Sequence, residues 1–298
     1  METPLPSSIS SKYPQLTVPF PFPSQTTPLS KKTIIITGAS RGIGLSIAKK
    51  CALENANIVI LAKSVVENPK LAGTIFSAEK EIKELGGNVL AVKCDVRFES
   101  EVKEAIEKVI EKFGGVDIVV NNASAIYLKG TGETEMKRFE LMHDIIVKGA
   151  FLLVKHCLPY LKKAENPHII NITQLFNPSN LSRNVAYNLS KQSLCLLTIG
   201  WSKEFKDFGI GVNGLWPLTG IASAPIRNLF GGQEALKFCR TEDIMGDASL
   251  ILMKSDSKQV NGNFFLDEQV LRSVGVKDFR KYRYDQNVEE KLIYEAKL

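Results

Sequence analysis

Histidine is scarce in this 298-residue chain, and no cysteine has a partner at the spacing of a redox or metal pair. The three histidines, His143, His156 and His168, show no zinc-ligand spacing, so a metal site is not expected. Cys51, Cys94, Cys157, Cys195 and Cys239 form no Cys-x-x-Cys motif and read as the reduced thiols of an intracellular protein. Long hydrophobic runs are also missing. The longest apolar-rich segments lie around Ile169–Phe176 and Leu194–Trp201, well short of the roughly 18 residues that a membrane span requires. Charge of one sign is not in large excess either: 38 basic against 32 acidic residues give +6, and the basic residues are scattered. No basic stripe for nucleic acid follows. What remains is 44% hydrophobic and 23% charged residues, the composition of a globular protein. A chain of this length buries about three quarters of its extended surface, enough to hold a core without disulfides.

Proline is concentrated at one end. Residues 1–31 carry Pro4, Pro6, Pro14, Pro19, Pro21, Pro23 and Pro28 among serines and threonines, which reads as an arm outside the core. The first arginine is Arg41, so the arm does not resemble an arginine-rich transit peptide. From Lys32 onward, β-branched runs alternate with amphipathic stretches. The pattern predicts strands at 33–37, 57–62, 88–93, 116–121, 168–173, 211–215 and 263–266. It predicts a helix over 99–113, with Val102, Ala105, Ile106, Val109 and Ile110 on one face. This alternation implies βαβ units, hence a single α/β, doubly wound, Rossmann-type domain with a parallel sheet of about seven strands over residues 32–274. Residues 275–298 read as a charged tail.

At the first strand-to-helix junction stands Thr37-Gly38-Ala39-Ser40-Arg41-Gly42-Ile43-Gly44. Glycines there let the backbone approach a pyrophosphate, and the helix start supplies free N–H donors. The second strand ends Leu61-Ala62-Lys63, without the acid that binds the ribose hydroxyls of NAD. Arg41 and Lys63 are placed to meet the 2′-phosphate of NADP instead. Further on, Tyr187 and Lys191 fall on one helix face at i, i+4. A phenol near pKa 10 exchanges protons poorly at neutral pH; a neighbouring ammonium and a nicotinamide cation would lower it into a working range.

In this order, Thr37-Gly-x-x-x-Gly-x-Gly44, Asp95, Asn121-Asn-Ala123, Tyr187-x-x-x-Lys191 and Pro217 resemble the short-chain dehydrogenase/reductase family, over about Lys32 to Val274. Residues 61–75, Leu215–Ile221 and Asp267-Glu268 are similar to its hydroxysteroid dehydrogenase-like protein 2 subgroup, whose members often carry a C-terminal sterol-carrier domain that is not expected here. The resemblance implies that Tyr187 donates a proton to a carbonyl and that Lys191 holds the ribose and tunes Tyr187. It also implies that Asn121 packs beside the cofactor and that Asp95 and Val96 bracket the adenine. Gly38, Ser40, Arg41, Gly42, Ile43, Gly44, Lys63, Ala123, Pro217 and Thr219 complete an NADP(H) site, and a homodimer or homotetramer is implied.

Two positions depart from the family. Ile146 stands three before Gly149, where an asparagine is usual, and reads as core packing. Gln174, preceded by Thr173, stands thirteen before Tyr187, where a serine usually orients the substrate. Its amide can donate in that place or simply fill space. Three functions follow: an NADP(H)-dependent oxidoreductase acting on a carbonyl or alcohol of a lipid-like substrate, a reductase of an enoyl-thioester double bond, or a cofactor-binding protein with little turnover. Residues 218–240, with Ile221, Ala222, Ala224, Ile226, Leu229 and Phe230, either cover an apolar or acyl substrate or pack as a flap. The final Ala296-Lys297-Leu298 resembles the Ser-Lys-Leu address read by the peroxisomal import receptor, with the tail 285–295 expected to be solvated; a peroxisomal location is expected.

Overall fold

The computed structural model describes residues 27–69, 71–174, 184–229 and 231–291. Seven strands form one parallel sheet in the order β3-β2-β1-β4-β5-β6-β7. They are β1 Thr33–Thr37, β2 Asn57–Ala62, β3 Asn88–Lys93, β4 Ile118–Asn121, β5 His168–Ile172, β6 Gly211–Trp216 and β7 Phe264–Leu266. Within β1, Ile34 and Ile36 enter one apolar cluster and Ile35 the other, because successive strand side chains point to opposite faces. Both faces are therefore covered, which explains a run of isoleucines in place of polar-apolar alternation.

One cluster is closed by α1 (Gly42–Leu53) and α2 (Ile75–Glu84), and, beyond the strands of the second half, by α9 (Asp243–Lys254) and α10 (Asp267–Ser273). The other is closed by α3 (Glu99–Phe113), α5 (Gly149–Leu161) and α6 (Val185–Glu204). α4 (Met136–His143) leads into α5, and the short α7 (Ala224–Leu229) and α8 (Gly232–Leu236) follow β6. α3 has the span its periodicity predicts. Glu99 and Glu101 occupy its first turn and Lys112 its last, matching the helix dipole, and Gly114 ends it at φ 79°.

The predicted strands are all present; β1, β2 and β3 have the predicted bounds, and the other four differ by one or two residues at an end. β4 starts at Ile118 because Asp117 uses a carboxylate oxygen to accept from Thr33 N–H at 2.8 Å, and β7 starts at Phe264. β5 stops at Ile172, and β6 runs one residue further, to Trp216.

The two predicted boundaries of the domain need correction. Leu29, placed in the arm, is buried in the core, and Thr27 N–H donates to the Lys254 carbonyl at 2.7 Å. Residues 275–291, expected to be part of a charged tail, are partly docked on the domain. Phe279 and Tyr282 are buried, and the Tyr282 hydroxyl donates to Asp247 Oδ2 at 2.7 Å. Glu290 receives Arg240 through Nε (2.9 Å) and Nη2 (2.5 Å), and Arg283 Nε at 2.6 Å. Arg240 in turn meets Glu268 Oε2 at 2.7 Å and lies over the Phe279 ring. The segment is held by charge pairs and two aromatic rings, which leave no period in the sequence. Ala296, Lys297 and Leu298 lie outside the described residues, as does Phe230.

Candidate active site

The strand order turns back between β1 and β4, and the carboxyl ends of these neighbours open the crevice where α/β sheets bind ligands. Here the glycine-rich turn and the loop after β4 touch. A Cβ at Gly44 would lie 2.5 Å from Asn122 Nδ2 and 2.9 Å from Ala39 Cα, and one at Gly38 3.0 Å from Ala123 Cα. Gly42 is different: its φ is +57°, and a Cβ there would meet nothing within 4 Å. α1 begins at this residue with no side-chain cap and no acid in its first turn. The result is a concave backbone with free N–H groups at the positive end of a helix dipole, which fits a pyrophosphate. Ser40 is buried beneath the turn and Ile43 is partly buried.

Sequence reasoning passed over the residue that fixes this cradle. Asn122 Nδ2 donates to the Thr37 carbonyl at 2.8 Å, while Asn122 N–H and Ala123 N–H both donate to Thr37 Oγ1 at 3.0 Å. The doubled asparagine after a strand was the available signal. Asn121, expected beside the cofactor, is turned into the sheet instead. Its Nδ2 donates to Asn171 Oδ1 at 2.8 Å, and Asn171 Nδ2 donates to Thr198 Oγ1 at 2.8 Å, a buried polar chain joining β4, β5 and α6.

Around the end of β2 the two bases are present and already engaged. Arg41 Nε donates to the Ala72 carbonyl at 2.8 Å and its Nη2 to the Gly73 carbonyl, so the loop after β2 wraps the guanidinium. Burial presses the Arg41 pKa below its ordinary value, and nearby Glu67 works in the opposite direction. Lys63 is half exposed, with Nζ 3.7 Å from Asp95 Oδ2. Burial raises the Asp95 pKa, but the fork of Arg97 side-chain bonds at 2.7–3.1 Å, the Arg97 N–H and the charges of Lys63 and Arg97 together outweigh it and hold the carboxyl below its ordinary value. Val96 is buried against Gly149, where a Cβ would come within 2.6 Å of Val96 Cγ2.

On α6, Tyr187 is partly buried and Lys191 buried. Lys191 Nζ donates to the Ile172 carbonyl at 2.9 Å, tying α6 to the end of β5. Burial pushes the Tyr187 phenol up to about 12, against a lowering hydrogen bond from the Ser124 side chain. Burial likewise brings Lys191 down to about 8, with the Cys195 thiol acting in the opposite direction. In the chain by itself, burial is the largest influence on the phenol; the nicotinamide cation that the expectation also invoked is not part of this environment.

Gln174 is partly buried: its side-chain Nε2 donates to Asn188 Oδ1 at 3.2 Å, and its backbone carbonyl accepts from Gln192 Nε2 at 3.3 Å. Ile146 is buried in a π-helical turn, Asp144–Lys148, between α4 and α5, packed into the core. Pro217 is partly buried and Thr219 fully buried, its hydroxyl donating to the Gly220 carbonyl at 3.2 Å. Between them, Leu218 N–H donates to Asp267 Oδ1 at 3.0 Å, and burial raises Asp267 to about 6. In the flap, Ile221 is buried, Ala222, Ala224 and Ile226 are partly buried, and Leu229 is exposed.

The seven-stranded parallel sheet carries a glycine-rich turn after β1 and a Tyr-x-x-x-Lys pair on α6, within a Rossmann-type α/β fold. The short chain dehydrogenase family model matches residues 32–228, and the chain belongs to that family. It is 44% identical to hydroxysteroid dehydrogenase-like protein 2 of Danio rerio over 86% of this chain and 62% of that one. The chain thus spans less than two thirds of that relative's length. A Xanthomonas campestris structure is 42% identical, with a TM-score of 0.85, covering 89% of this chain and 98% of that one. A short chain dehydrogenase from Mycobacterium thermoresistibile is 41% identical, with a TM-score of 0.83, covering 89% and 94%.

Proposed function

We propose that the protein is an NADP(H)-dependent oxidoreductase that interconverts a carbonyl and an alcohol on an apolar, lipid-like substrate through Tyr187. The observation that carries this reading is the pairing of an uncapped, acid-free helix start at Gly42 with Tyr187 and a Lys191 anchored on the Ile172 carbonyl. Gly38, Gly42 and Gly44 would admit the pyrophosphate, and Lys191 would reach the ribose. Bound NADPH supplies the hydride. Tyr187 gives its proton to the substrate oxygen in the same turnover, and Lys191 steadies the phenolate that remains.

Arg41 and Lys63 support NADP over NAD, because the end of β2 at Ala62 holds no acid. Arg41 would exchange neutral carbonyl partners for a phosphate, a stronger partner for a guanidinium. Titration of the full chain should show tighter binding of NADPH than of NADH. Arg41→Ala should cost about tenfold or more in NADPH affinity, the worth of one charge-assisted contact. Equal affinities for the two nucleotides in the unaltered protein would sink the NADP assignment. The homodimer or homotetramer that the family resemblance implies has a surface to use: Phe151 on α5 and Leu189 and Leu196 on α6 are exposed. Sedimentation of the unaltered chain and of Leu196→Lys tests it.

A further inference from the structure

A nicotinamide nucleotide bound to this sheet has to run along the carboxyl ends of the strands. With its pyrophosphate at the turn after β1, Arg41 and Lys63 would draw the adenosine half toward the end of β2. The strand order β2-β1-β4-β5-β6 then sends the other half across β4 and β5, past Lys191 on the Ile172 carbonyl, toward the turn after β6. That turn is Pro217–Thr219, and a buried acid stands against it. Leu218 N–H donates to Asp267 Oδ1 at 3.0 Å, and Asp267, at the start of α10, is fully buried. We propose that Asp267 is a positioning residue for the nicotinamide half of the cofactor: through the Leu218 amide it presets the Pro217–Thr219 turn that receives that half. This rests on the reading of the crevice as an NADP(H) site.

The turn lies between two fixed ends. β6 closes at Trp216, paired with Leu266 of β7, and the chain is held again at Gly220, whose carbonyl accepts from Arg240 N–H at 2.9 Å. Pro217 has no N–H, so the first amide the turn can offer is that of Leu218, and it goes to a carboxylate from another element. A turn held in this way has little backbone freedom left to lose when a ligand settles on it.

A carboxylate is a costly group at such depth, where an apolar side chain would pack without losing hydration. What it supplies is acceptance. Oδ1 takes Leu218 N–H and also Glu268 N–H, at 2.7 Å, while Oδ2 has no hydrogen-bond partner among the described residues. One oxygen thus ties the turn after β6 to the helix after β7. The charge itself is less needed by its neighbours: buried Arg240 keeps Glu268 at 2.7 Å and Glu290 at 2.5 Å without Asp267. The acceptor can therefore be removed while the ion-pair cluster stays.

The test titrates the full chain with NADPH and with 2′,5′-ADP, which carries the adenosine and the 2′-phosphate but no nicotinamide. Asp267→Ser keeps a hydroxyl for the start of α10 and falls one bond short of Leu218. It should weaken NADPH by about tenfold, the cost of ordering a freed backbone residue on binding, and leave 2′,5′-ADP nearly unchanged. Asp267→Asn, whose amide oxygen can accept the same N–H groups, should bind both ligands as the parent does. In the unaltered chain without nucleotide, hydrogen exchange at the Leu218 amide should already be slow, a measurement that depends on no variant. Equal losses of both ligands in Asp267→Ser, or no loss of either, overturn the proposal. So does a loss in Asp267→Asn as large as in Asp267→Ser, or a Leu218 amide that is protected only once NADPH binds. Each of these leaves the cofactor reading standing if the parent binds both ligands. A parent that binds neither removes that reading, and the role of Asp267 with it.

Discussion

Glu290→Gln should destabilise this protein by an amount more usual for a core substitution, although Glu290 lies eight residues from the end of the chain. Its carboxylate receives both nitrogens of Arg240 on one oxygen and Arg283 on the other, and the Arg240 side chain is only 5% exposed. Burial alone would lower the Arg240 pKa, yet Glu268, Glu290 and Asp267 together raise it above its ordinary value. Removing this charge takes the carboxylate partner of Arg283 away and leaves Arg240 to Glu268, which already pairs with Arg272. Breaking a buried pair by deleting one partner costs about 3–5 kcal/mol. The Arg283 side chain is 21% exposed, so water recovers part of the loss and the lower end of that range applies. At roughly 2–4 °C per kcal/mol for a chain of this size, the melting temperature should fall by on the order of 10 °C. Urea unfolding and thermal melting of Glu290→Gln and of Glu289→Gln, its exposed neighbour, make the comparison. Glu289→Gln should stay within about 0.5 kcal/mol of the parent. A loss below about 1 kcal/mol in Glu290→Gln would refute the claim that residues 275–291 belong to the folded domain.

Three further outcomes are expected. His168 is buried, and burial holds its pKa at about 4 despite a bond to the Ser255 carbonyl and the charge of Asp256. The unfolded chain takes up that proton near pH 6.5, so stability present above 6.5 is lost as pH falls toward 4, by about 3 kcal/mol in all. His168→Gln should remove this slope from pH-dependent unfolding curves, and an unchanged slope counts against the burial argument. Gly44→Ala should destabilise by about 1–3 kcal/mol, because backbone atoms of Ala39 and Gly38 stand where the methyl must go. Gly42→Ala meets no atom within 4 Å but must hold φ +57°, so it should cost about 1 kcal/mol through backbone strain and, if the turn holds a pyrophosphate, also weaken NADPH in titration. Gln174→Ala should change kcat/KM only a few-fold while costing about 1 kcal/mol of stability, since the lost bond is to Asn188. A hundredfold kinetic loss would restore the glutamine as substrate donor.

The sheet was readable because its strands are buried on both faces. Ile34–Ile36 or Ile58–Ile60 can be little else between turn residues, and helix α3 carries its apolar stripe at a regular period. The cradle at Gly38–Gly44 was readable for a related reason, since glycine is demanded there by contacts and by backbone angle. Directions of side chains were not readable. Nothing in the order Asn121-Asn122-Ala123 says that the first turns into the sheet and the second clamps the turn. The sequence places Arg41 at the turn, but its hold on the Ala72 and Gly73 carbonyls depends on how the loop after β2 folds back. The docking of residues 275–291 left no trace because ion pairs between distant residues have no period.

The hydroxyl of Thr37 sits at the close of the first strand and accepts two N–H groups from the loop after the fourth. The chain on one side of that oxygen goes on to the glycine turn; the chain on the other goes on to Ser124. One small atom group therefore sets the spacing between the place suited to hold phosphate and the place where a phenol waits. The two loops are thus tied together through one hydroxyl, with two hydrogen bonds and no helix between them.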